Sequence, residues 1–212
     1  MTTPDILNIL VNRLFFNSFD PVSLLTMTKH LPSILKRPRK IPGRRWMARA
    51  SVAVILRKSQ AHGFDILLIK RAERVGDPWS GDMAFPGGKM DSTDQNIYHT
   101  ALRELHEEIG LDAGNLKQLG RLSDQLTKTH SGLRPMIISP FIFELNKQAD
   151  FELNHEVSEI VWVPLTHFST SINRKQMVWK VKGLKINLPC YWFKNKRVWG
   201  LTLRMLDELV AK

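Results

Sequence analysis

The feature that most constrains this chain is a glycine turn that leads into an amphipathic helix. A proline and two glycines close one extended segment at Phe85-Pro-Gly-Gly88. Downstream, apolar residues recur at every fourth position, at Ile97, Ala101, Leu105 and Ile109. This spacing places the four side chains along one stripe of an α-helix. The sequence therefore predicts a strand, a tight turn and a helix with one buried face.

Three glutamates lie on the same helix but away from its apolar stripe. Glu104, Glu107 and Glu108 stand at positions i, i+3 and i+4, which makes them neighbours on one helical face. Like charges at these spacings destabilise a helix by roughly 0.2–0.5 kcal/mol per pair. A bound cation would remove this repulsion, and Mg²⁺ prefers such carboxylate oxygens. The alternative interpretation is a solvated acidic helix face.

The turn and the helix together resemble the signature of the Nudix hydrolases. That signature reads Gly, five residues, Glu, seven residues, and then Arg-Glu-apolar-any-Glu-Glu-any-Gly-apolar. Residues 103–111 match its second half at every fixed position. The first half departs, because Asp94 stands where Glu is expected after Gly88, and eight residues separate Asp94 from Arg103. This departure, together with the Phe-Pro-Gly-Gly turn, is similar to the coenzyme A diphosphatase branch of the family.

The resemblance implies a reaction and a metal site. Nudix hydrolases cleave a nucleoside diphosphate linked to another group, by attack of water on one phosphorus. For this chain the resemblance implies Mg²⁺ or Mn²⁺ bound by Glu104, Glu107 and Glu108, with the carbonyl oxygen of Gly88 in the same ligand set. We expect Arg103 to orient these carboxylates through charge-assisted hydrogen bonds.

The general base that activates the water has two candidates. One is Glu104, and the other is Glu156 in the segment Asn154-His-Glu-Val157, which comparable enzymes bring over the metals. Family members differ in which carboxylate takes this role, so both candidates stay open. An ordinary surface glutamate is the competing interpretation of Glu156.

The candidate substrate contacts are basic or aromatic side chains. The formal net charge is +11, and residues 174–197 hold eight Lys or Arg and no acidic residue, interleaved with aromatic side chains. Such a patch attracts phosphate groups and offers rings on which a base can stack. The predicted contacts are Arg71 and Trp79 near the motif, and Lys180, Lys182 and Trp192 in this stretch. The alternatives are lysines that serve solubility and a Trp79 that belongs to the core.

The substrate is less sharply implied than the reaction. Coenzyme A or a related nucleoside diphosphate derivative is the first expectation, but the coenzyme A branch usually carries Arg where this chain has Asp77. Other nucleotides are the alternative: a nucleoside triphosphate, ADP-ribose, a sugar nucleotide or a capped RNA end. The net charge favours the RNA end among these, although nucleic acid is less favoured as a partner than a small nucleotide. A non-catalytic nucleotide-binding protein is disfavoured because all three glutamates are present.

The chain divides into an extension and one domain. We predict a helical extension and basic linker over residues 1–45 and a Nudix domain over residues 46–212. Strands before, beside and after one central helix predict a mixed sheet covered by helices on two sides. This α/β (α+β) arrangement agrees with the α/β/α sandwich that the resemblance implies. The extension, predicted as two helices over residues 4–35, has an apolar stripe that needs a cover, either the domain or a second copy in a homodimer.

Composition points to a protein of a reducing compartment. Cys190 is the single cysteine, which excludes an internal disulfide and any multi-cysteine metal site. Apolar runs fall short of the roughly 20 residues that a membrane-spanning helix needs. The sequence therefore predicts a cytoplasmic protein without membrane contact.

Overall fold

The computed structural model of the protein describes residues 38–43, 46–77, 79–129, 134–181 and 184–210. The two helices predicted over residues 4–35 lie outside the described residues. Of the predicted linker, Arg39 and Ile41 are bound to the domain, because their backbone N–H groups donate to Ser123 Oγ at 3.0 Å and to Asp124 Oδ2 at 3.1 Å. The boundary between residues 45 and 46 stays a prediction.

A central mixed sheet forms the middle layer. In the described part of the chain it contains eight strands, and β1 pairs in parallel with β7 whereas the other pairs are antiparallel. These strands are β1 Ala48–Ser59, β2 Gly63–Arg71, β3 Met83–Ala84, β4 Gly87–Lys89, β5 Leu116–Arg121, β6 Gln125–Lys128, β7 Pro135–Leu145 and β8 Val157–Pro164. Strands β1 and β2 form an antiparallel hairpin.

A smaller antiparallel sheet and three helices complete the described elements. The sheet consists of β9 Arg174–Val181, β10 Leu184–Phe193 and β11 Lys196–Trp199. The helices are α1 Ile97–Ile109, the single turn α2 Thr166–Ser169 and α3 Gly200–Leu209. Short 3₁₀ turns occupy Ala113–Asn115 and Ser171–Asn173. Strands β9 and β10 stay paired as far as Arg174 and Tyr191.

Strand alternation divides the core into two layers. Ile55 and Leu67 point to the α1 side of the central sheet, whereas their neighbours Leu56 and Leu68 point to the α3 side. Burying each such side chain contributes about 1.5–3 kcal/mol. The result is an α/β/α sandwich, as predicted.

Helix α1 begins and ends at the first and last residues of the apolar stripe, Ile97 and Ile109. Asn96 caps the start, because its Oδ1 accepts hydrogen bonds from the N–H groups of Tyr98 at 2.9 Å and His99 at 3.2 Å. Gly110 ends the helix in the left-handed conformation, with φ +69°, and donates its N–H to the carbonyl of His106. The stripe residue Leu105 is fully buried. The other face of α1 is thereby turned toward the glycine turn.

Candidate active site

Strand β4 brings the glycine turn against α1. It pairs with β1, and the N–H of Gly87 donates to Glu108 Oε2 at 2.8 Å. A Cβ on Gly87 would lie 2.2 Å from the carbonyl oxygen of Ser51, so the strand can approach β1 this closely only with glycine. Because glycine is a poor strand former, β4 was not predicted from the sequence.

Gly88 lies directly against the Glu104 carboxylate. A Cβ on Gly88 would be 2.4 Å from Glu104 Oε1 and 2.6 Å from Oε2. The backbone of the turn and the carboxylate of the helix therefore share a space that any other residue would fill. Both groups offer the oxygen atoms that Mg²⁺ and Mn²⁺ bind.

Glu108 is the most deeply buried of the three glutamates, at 4% exposure. Burial raises its pKa to about 8, and the N–H of Gly87 opposes this rise. The carboxylates of Glu104 and Glu156 raise the pKa further, while the charge of Arg71 lowers it. Burial also raises the pKa of Glu104. A divalent cation beside these groups would favour their ionised forms, so they suit a metal chemically.

Arg103 connects the turn to the glutamate face. Its Nε and Nη2 each bind one oxygen of Asp94 at 3.0 Å, and Nη2 also donates to the carbonyl of Lys89 at 3.0 Å. Its Nη1 contacts Glu104 Oε1 at 3.0 Å and Glu107 Oε2 at 2.9 Å. The hydrogen bonds from Arg103 lower the pKa of Asp94 to about 2. One guanidinium thus joins three carboxylates.

Asp94, which marks the departure from the family signature, is buried at the base of this network. Its side chain is 3% exposed, and Thr100 Oγ1 donates to its Oδ2 at 2.9 Å. The chain reaches this position through a turn in which the N–H of Asp91 also donates to Asp94 Oδ2, at 2.8 Å. The shorter acid with one extra residue after it therefore still holds Arg103 in bidentate geometry.

The three glutamates are held by protein groups in this structure. Glu104 and Glu107 pair with Arg103, and Glu108 accepts from Gly87. Within the described ranges, no three acidic, histidine or cysteine side chains are grouped as a metal-ligand set. Helix α1 and strand β4 place Glu104 beside Gly88 and Glu108 beside Gly87.

Glu156 lies close enough to Glu108 to raise its pKa. Its Oε1 is 3.3 Å from Arg74 Nη1, and its carbonyl accepts from the N–H of Ala72 at 2.8 Å. Its side chain is 42% exposed. The structure therefore places this candidate base beside the glutamate face, on a different segment of the chain.

Arg71 ends β2, Trp79 lies in the loop that follows, and Asp77 contacts both residues. Asp77 Oδ2 accepts from Arg71 Nη2 at 2.7 Å, and its Oδ1 accepts from the N–H of Trp79 at 3.0 Å. Trp79 is 43% exposed. In the sequence, Asp77 stands out only as a departure from the coenzyme A branch. In turns, an Asp side chain commonly accepts a hydrogen bond from the backbone N–H two residues later, as Asp77 does from Trp79.

The predicted substrate contacts of the smaller sheet are only partly described. Lys182 and the side chain of Lys180 lie outside the described residues, whereas Trp192 is 48% exposed on β10. Arg197 on β11 donates to Asp82 Oδ1 at 2.8 Å, just before β3. This ion pair attaches the smaller sheet to the loop that leads into the glycine turn.

The aromatic side chains of the smaller sheet are also partly paired. The rings of Trp179 and Trp199 pack against each other with centroids 4.3 Å apart and ring planes tilted by 39°. The ring of Trp192 is more exposed than either, which leaves it more accessible for stacking.

Comparisons with known proteins agree with this fold. The NUDIX domain profile matches residues 47–182. Human mitochondrial coenzyme A diphosphatase NUDT8 is 32% identical over 155 residues, covering 72% of this chain and 65% of that protein, so the match spans less than two thirds of its length. The mouse protein of the same name is 30% identical over 165 residues, 77% of each chain.

One solved structure has a similar fold. A MutT/nudix family protein from Enterococcus faecalis aligns with a TM-score of 0.50 and 14% identity, covering 99% of this chain and 72% of that one. At this identity the likeness concerns the fold alone.

Of the helices in the described ranges, none has the length and apolar character to cross a membrane.

Proposed function

The chain belongs to the NUDIX family, and we propose that it is a hydrolase that splits the diphosphate of a nucleoside diphosphate derivative. The observation that carries the proposal is the approach of Gly88 to Glu104, beside the buried Glu108. The Gly88 backbone meets the Glu104 carboxylate there, and burial raises the pKa values of both Glu104 and Glu108. Such a place favours a divalent cation and, with it, a pyrophosphate.

Nudix hydrolases generally need a divalent metal, and here Mg²⁺ or Mn²⁺ is proposed. The proposed ligands are Glu104, Glu107, Glu108 and the carbonyl oxygen of Gly88. A bound cation would neutralise phosphate charge and lower the pKa of a coordinated water. The contacts of Arg103 with Glu104 and Glu107 support a role in orienting these ligands.

Glu156 is proposed as the general base, with Glu104 as the second candidate. The Glu104 carboxylate is held by Arg103 and lies against Gly88, which suits a ligand. The Glu156 carboxylate is more exposed and comes from another segment, which suits a group that takes a proton from water above the metal ligands.

Coenzyme A is proposed as the substrate. The names of the human and mouse relatives support it, as does the basic stretch of residues 174–197, because coenzyme A adds a ribose phosphate and an adenine to the diphosphate. In this proposal Arg71 attracts the diphosphate. The groups proposed to receive the remaining phosphate and the base are Trp79, Lys180, Lys182 and Trp192.

The competing function is hydrolysis of other nucleotides, including a capped RNA end, which the charge of +11 favours. A small-molecule substrate remains the first choice. A homodimer that covers the apolar stripe of residues 4–35 and a cytoplasmic location are further parts of the proposal. The human relative is named as mitochondrial.

A substrate screen tests the proposed function. The purified chain is incubated with Mg²⁺ and, separately, with coenzyme A, dephospho-coenzyme A, ADP-ribose, a dinucleoside polyphosphate and a nucleoside triphosphate. We expect coenzyme A to be split to 3′,5′-ADP and 4′-phosphopantetheine, with the highest kcat/KM of the series. Equal hydrolysis of dephospho-coenzyme A and ADP-ribose at physiological salt would replace coenzyme A with the broader nucleotide alternative.

A further inference from the structure

The segment before β8 is attached to the carboxyl end of α1. The N–H of Glu152 donates to the carbonyl of Ile109 at 3.0 Å, and the N–H of Asn154 donates to the carbonyl of Glu108 at 3.0 Å. Gly110 makes this approach possible, because a Cβ there would lie 3.0 Å from both Cβ and N of Glu152. The glycine that closes the family motif therefore seats this segment against the glutamate helix.

The side chain of Asn154 then fixes the backbone of Glu156. Its Oδ1 accepts from the N–H of Glu156 at 2.8 Å, in the local turn that asparagine favours. The carbonyl of Glu156 accepts from the N–H of Ala72 at 2.8 Å. The peptide groups on both sides of the Glu156 side chain are thus held, one by a neighbouring loop and one by Asn154.

The carboxylate itself has weaker support. Its ion pair with Arg74 spans 3.3 Å between side chains that are each 42% exposed. Exposed pairs of this kind contribute only about 0–1 kcal/mol, so this contact does not fix the carboxylate by itself. The backbone of Glu156, and therefore Asn154, decides where the carboxylate can reach.

We propose that Asn154 is a positioning residue that acts on the reaction only through Glu156. The inference rests on the proposed function, in which Glu156 activates water. The backbone N–H of Asn154 binds the carbonyl of Glu108, and its side chain binds the N–H of Glu156, so one residue connects the helix of the buried glutamate to the base. Misplacing a reacting group by about 1 Å can cost on the order of a hundredfold in rate.

A double-mutant cycle tests this inference. We expect Asn154→Ala to lower kcat about tenfold with KM unchanged, because substrate binding does not use Glu156. The same substitution in a Glu156→Gln background should cause no further loss. Asn154→Asp and Asn154→Ser keep an acceptor oxygen at this position and should restore most of kcat. Asn154→Gly serves as a second deletion of the side chain if the alanine variant does not fold.

Ser158→Ala is the matched control. Ser158 Oγ donates to the carbonyl of Lys70 at 3.1 Å, so the control removes a side-chain hydrogen bond from the neighbouring strand without touching Glu156. We expect it to leave kcat unchanged. An equal loss from Asn154→Ala in both backgrounds, or from Ser158→Ala, would overturn the inference, because the role of Asn154 would then be structural.

Two further outcomes separate the inference from the proposed function. If Glu156→Gln hydrolyses coenzyme A at the normal rate, there is no base for Asn154 to position, and the inference fails while the hydrolase assignment stands. If the unsubstituted chain cleaves none of the diphosphates in the screen, the proposed function fails and the inference falls with it.

Discussion

The turn and helix that carry the glutamates are held differently from the sheet formed by β9–β11. In the first region Arg103 alone contacts three carboxylates and one carbonyl, and Asp94 at its base is almost fully buried. In the second region the ion pairs lie at the edges, where Arg197 meets Asp82 and Arg174 meets Asp207. Trp192 and Ile186 between them are about half exposed.

The difference indicates that the two regions have different functions. In the turn and α1, the backbone of Gly88 lies so close to the Glu104 carboxylate that an added methyl group would clash with it. Such close packing suits a reaction that depends on accurate placement of the reacting groups. The exposed face of the smaller sheet tolerates change, which suits recognition of the part of a substrate that does not react. Substitutions in the first region should therefore lower kcat, and substitutions in the second should raise KM.

Among the substitutions that compare the two regions, the largest expected effect comes from Gly88→Ala. The new Cβ would lie 2.4–2.6 Å from the Glu104 carboxylate, the free end of a flexible side chain that can move aside. We expect turnover to fall by about a hundredfold, because a charged group at the reacting centre is displaced, while the fold persists. Steady-state kinetics and a thermal melt on the same sample measure both.

Gly114→Ala is the control for this substitution. A Cβ at Gly114 would meet nothing within 4 Å. We therefore expect normal activity and stability for Gly114→Ala. If Gly88→Ala were as active as Gly114→Ala, the proximity of Gly88 and Glu104 would have no part in catalysis.

A second pair of substitutions compares the two regions directly. Asp94→Asn weakens a bidentate ion pair, and we expect it to cost about 1.5–3 kcal/mol of unfolding free energy and about tenfold in kcat. Asp82→Asn weakens a pair with one hydrogen bond, in which Asp82 Oδ2 and Arg197 Nε are buried without a partner. Asp82→Asn should lower the free energy of unfolding by less than Asp94→Asn does, and it should leave kcat unchanged. A larger loss of kcat from Asp82→Asn would invert the comparison.

The first region was also the easier one to predict from sequence. Helix α1 has a regular apolar stripe, a capping Asn96 and a closing Gly110, which are all local signals. The bidentate contact between Asp94 and Arg103 was not predicted, because it depends on how the turn after Gly88 folds. Strand β4 was not predicted for a related reason. Gly87 is needed because the backbone of Ser51 lies too close for a Cβ, and glycine has a low strand propensity.

Contacts between segments that are distant in the sequence could not be predicted from it. Glu156 was a candidate base by resemblance, but its place beside Glu108 depends on hydrogen bonds of Asn154 and Ala72 that no periodicity reveals. In the smaller sheet, the attachment of Arg197 to Asp82 joins residues 115 positions apart. Only the folded chain brings such groups together.

The third prediction concerns recognition. Trp192→Ala should raise KM for coenzyme A about tenfold with kcat unchanged, because stacking of a base on an aromatic ring contributes about 1–3 kcal/mol. The increase should be smaller for a substrate without adenine. A fall in kcat with KM unchanged would show that this surface serves the chemistry and would remove the distinction between the two regions.

A further prediction concerns the pH dependence of stability without divalent metal. Burial raises the pKa of Glu108 from 4.5 to about 8, so its contribution to stability is fully present below pH 4.5 and is lost as the pH rises to about 8. Burial lowers the pKa of His167 from 6.5, so its contribution is fully present above pH 6.5 and is lost as the pH falls below that value.

Glu108→Gln and His167→Gln should each flatten their own side of this profile. Thermal unfolding in a chelating buffer across the pH range measures both variants beside the unsubstituted chain. Profiles that keep their slope in the variants would contradict the assigned groups.

The most direct measurement is a Mg²⁺ titration of coenzyme A hydrolysis by the unsubstituted chain, Glu107→Gln and Glu108→Gln. The amides keep the shape of the side chains and remove the charge that would hold the ion. We expect the turnover of each variant to stay at least about a hundredfold lower at saturating Mg²⁺, with the fold intact. Near-normal turnover of either variant at any Mg²⁺ concentration would contradict the assignment of this helix face as the metal site.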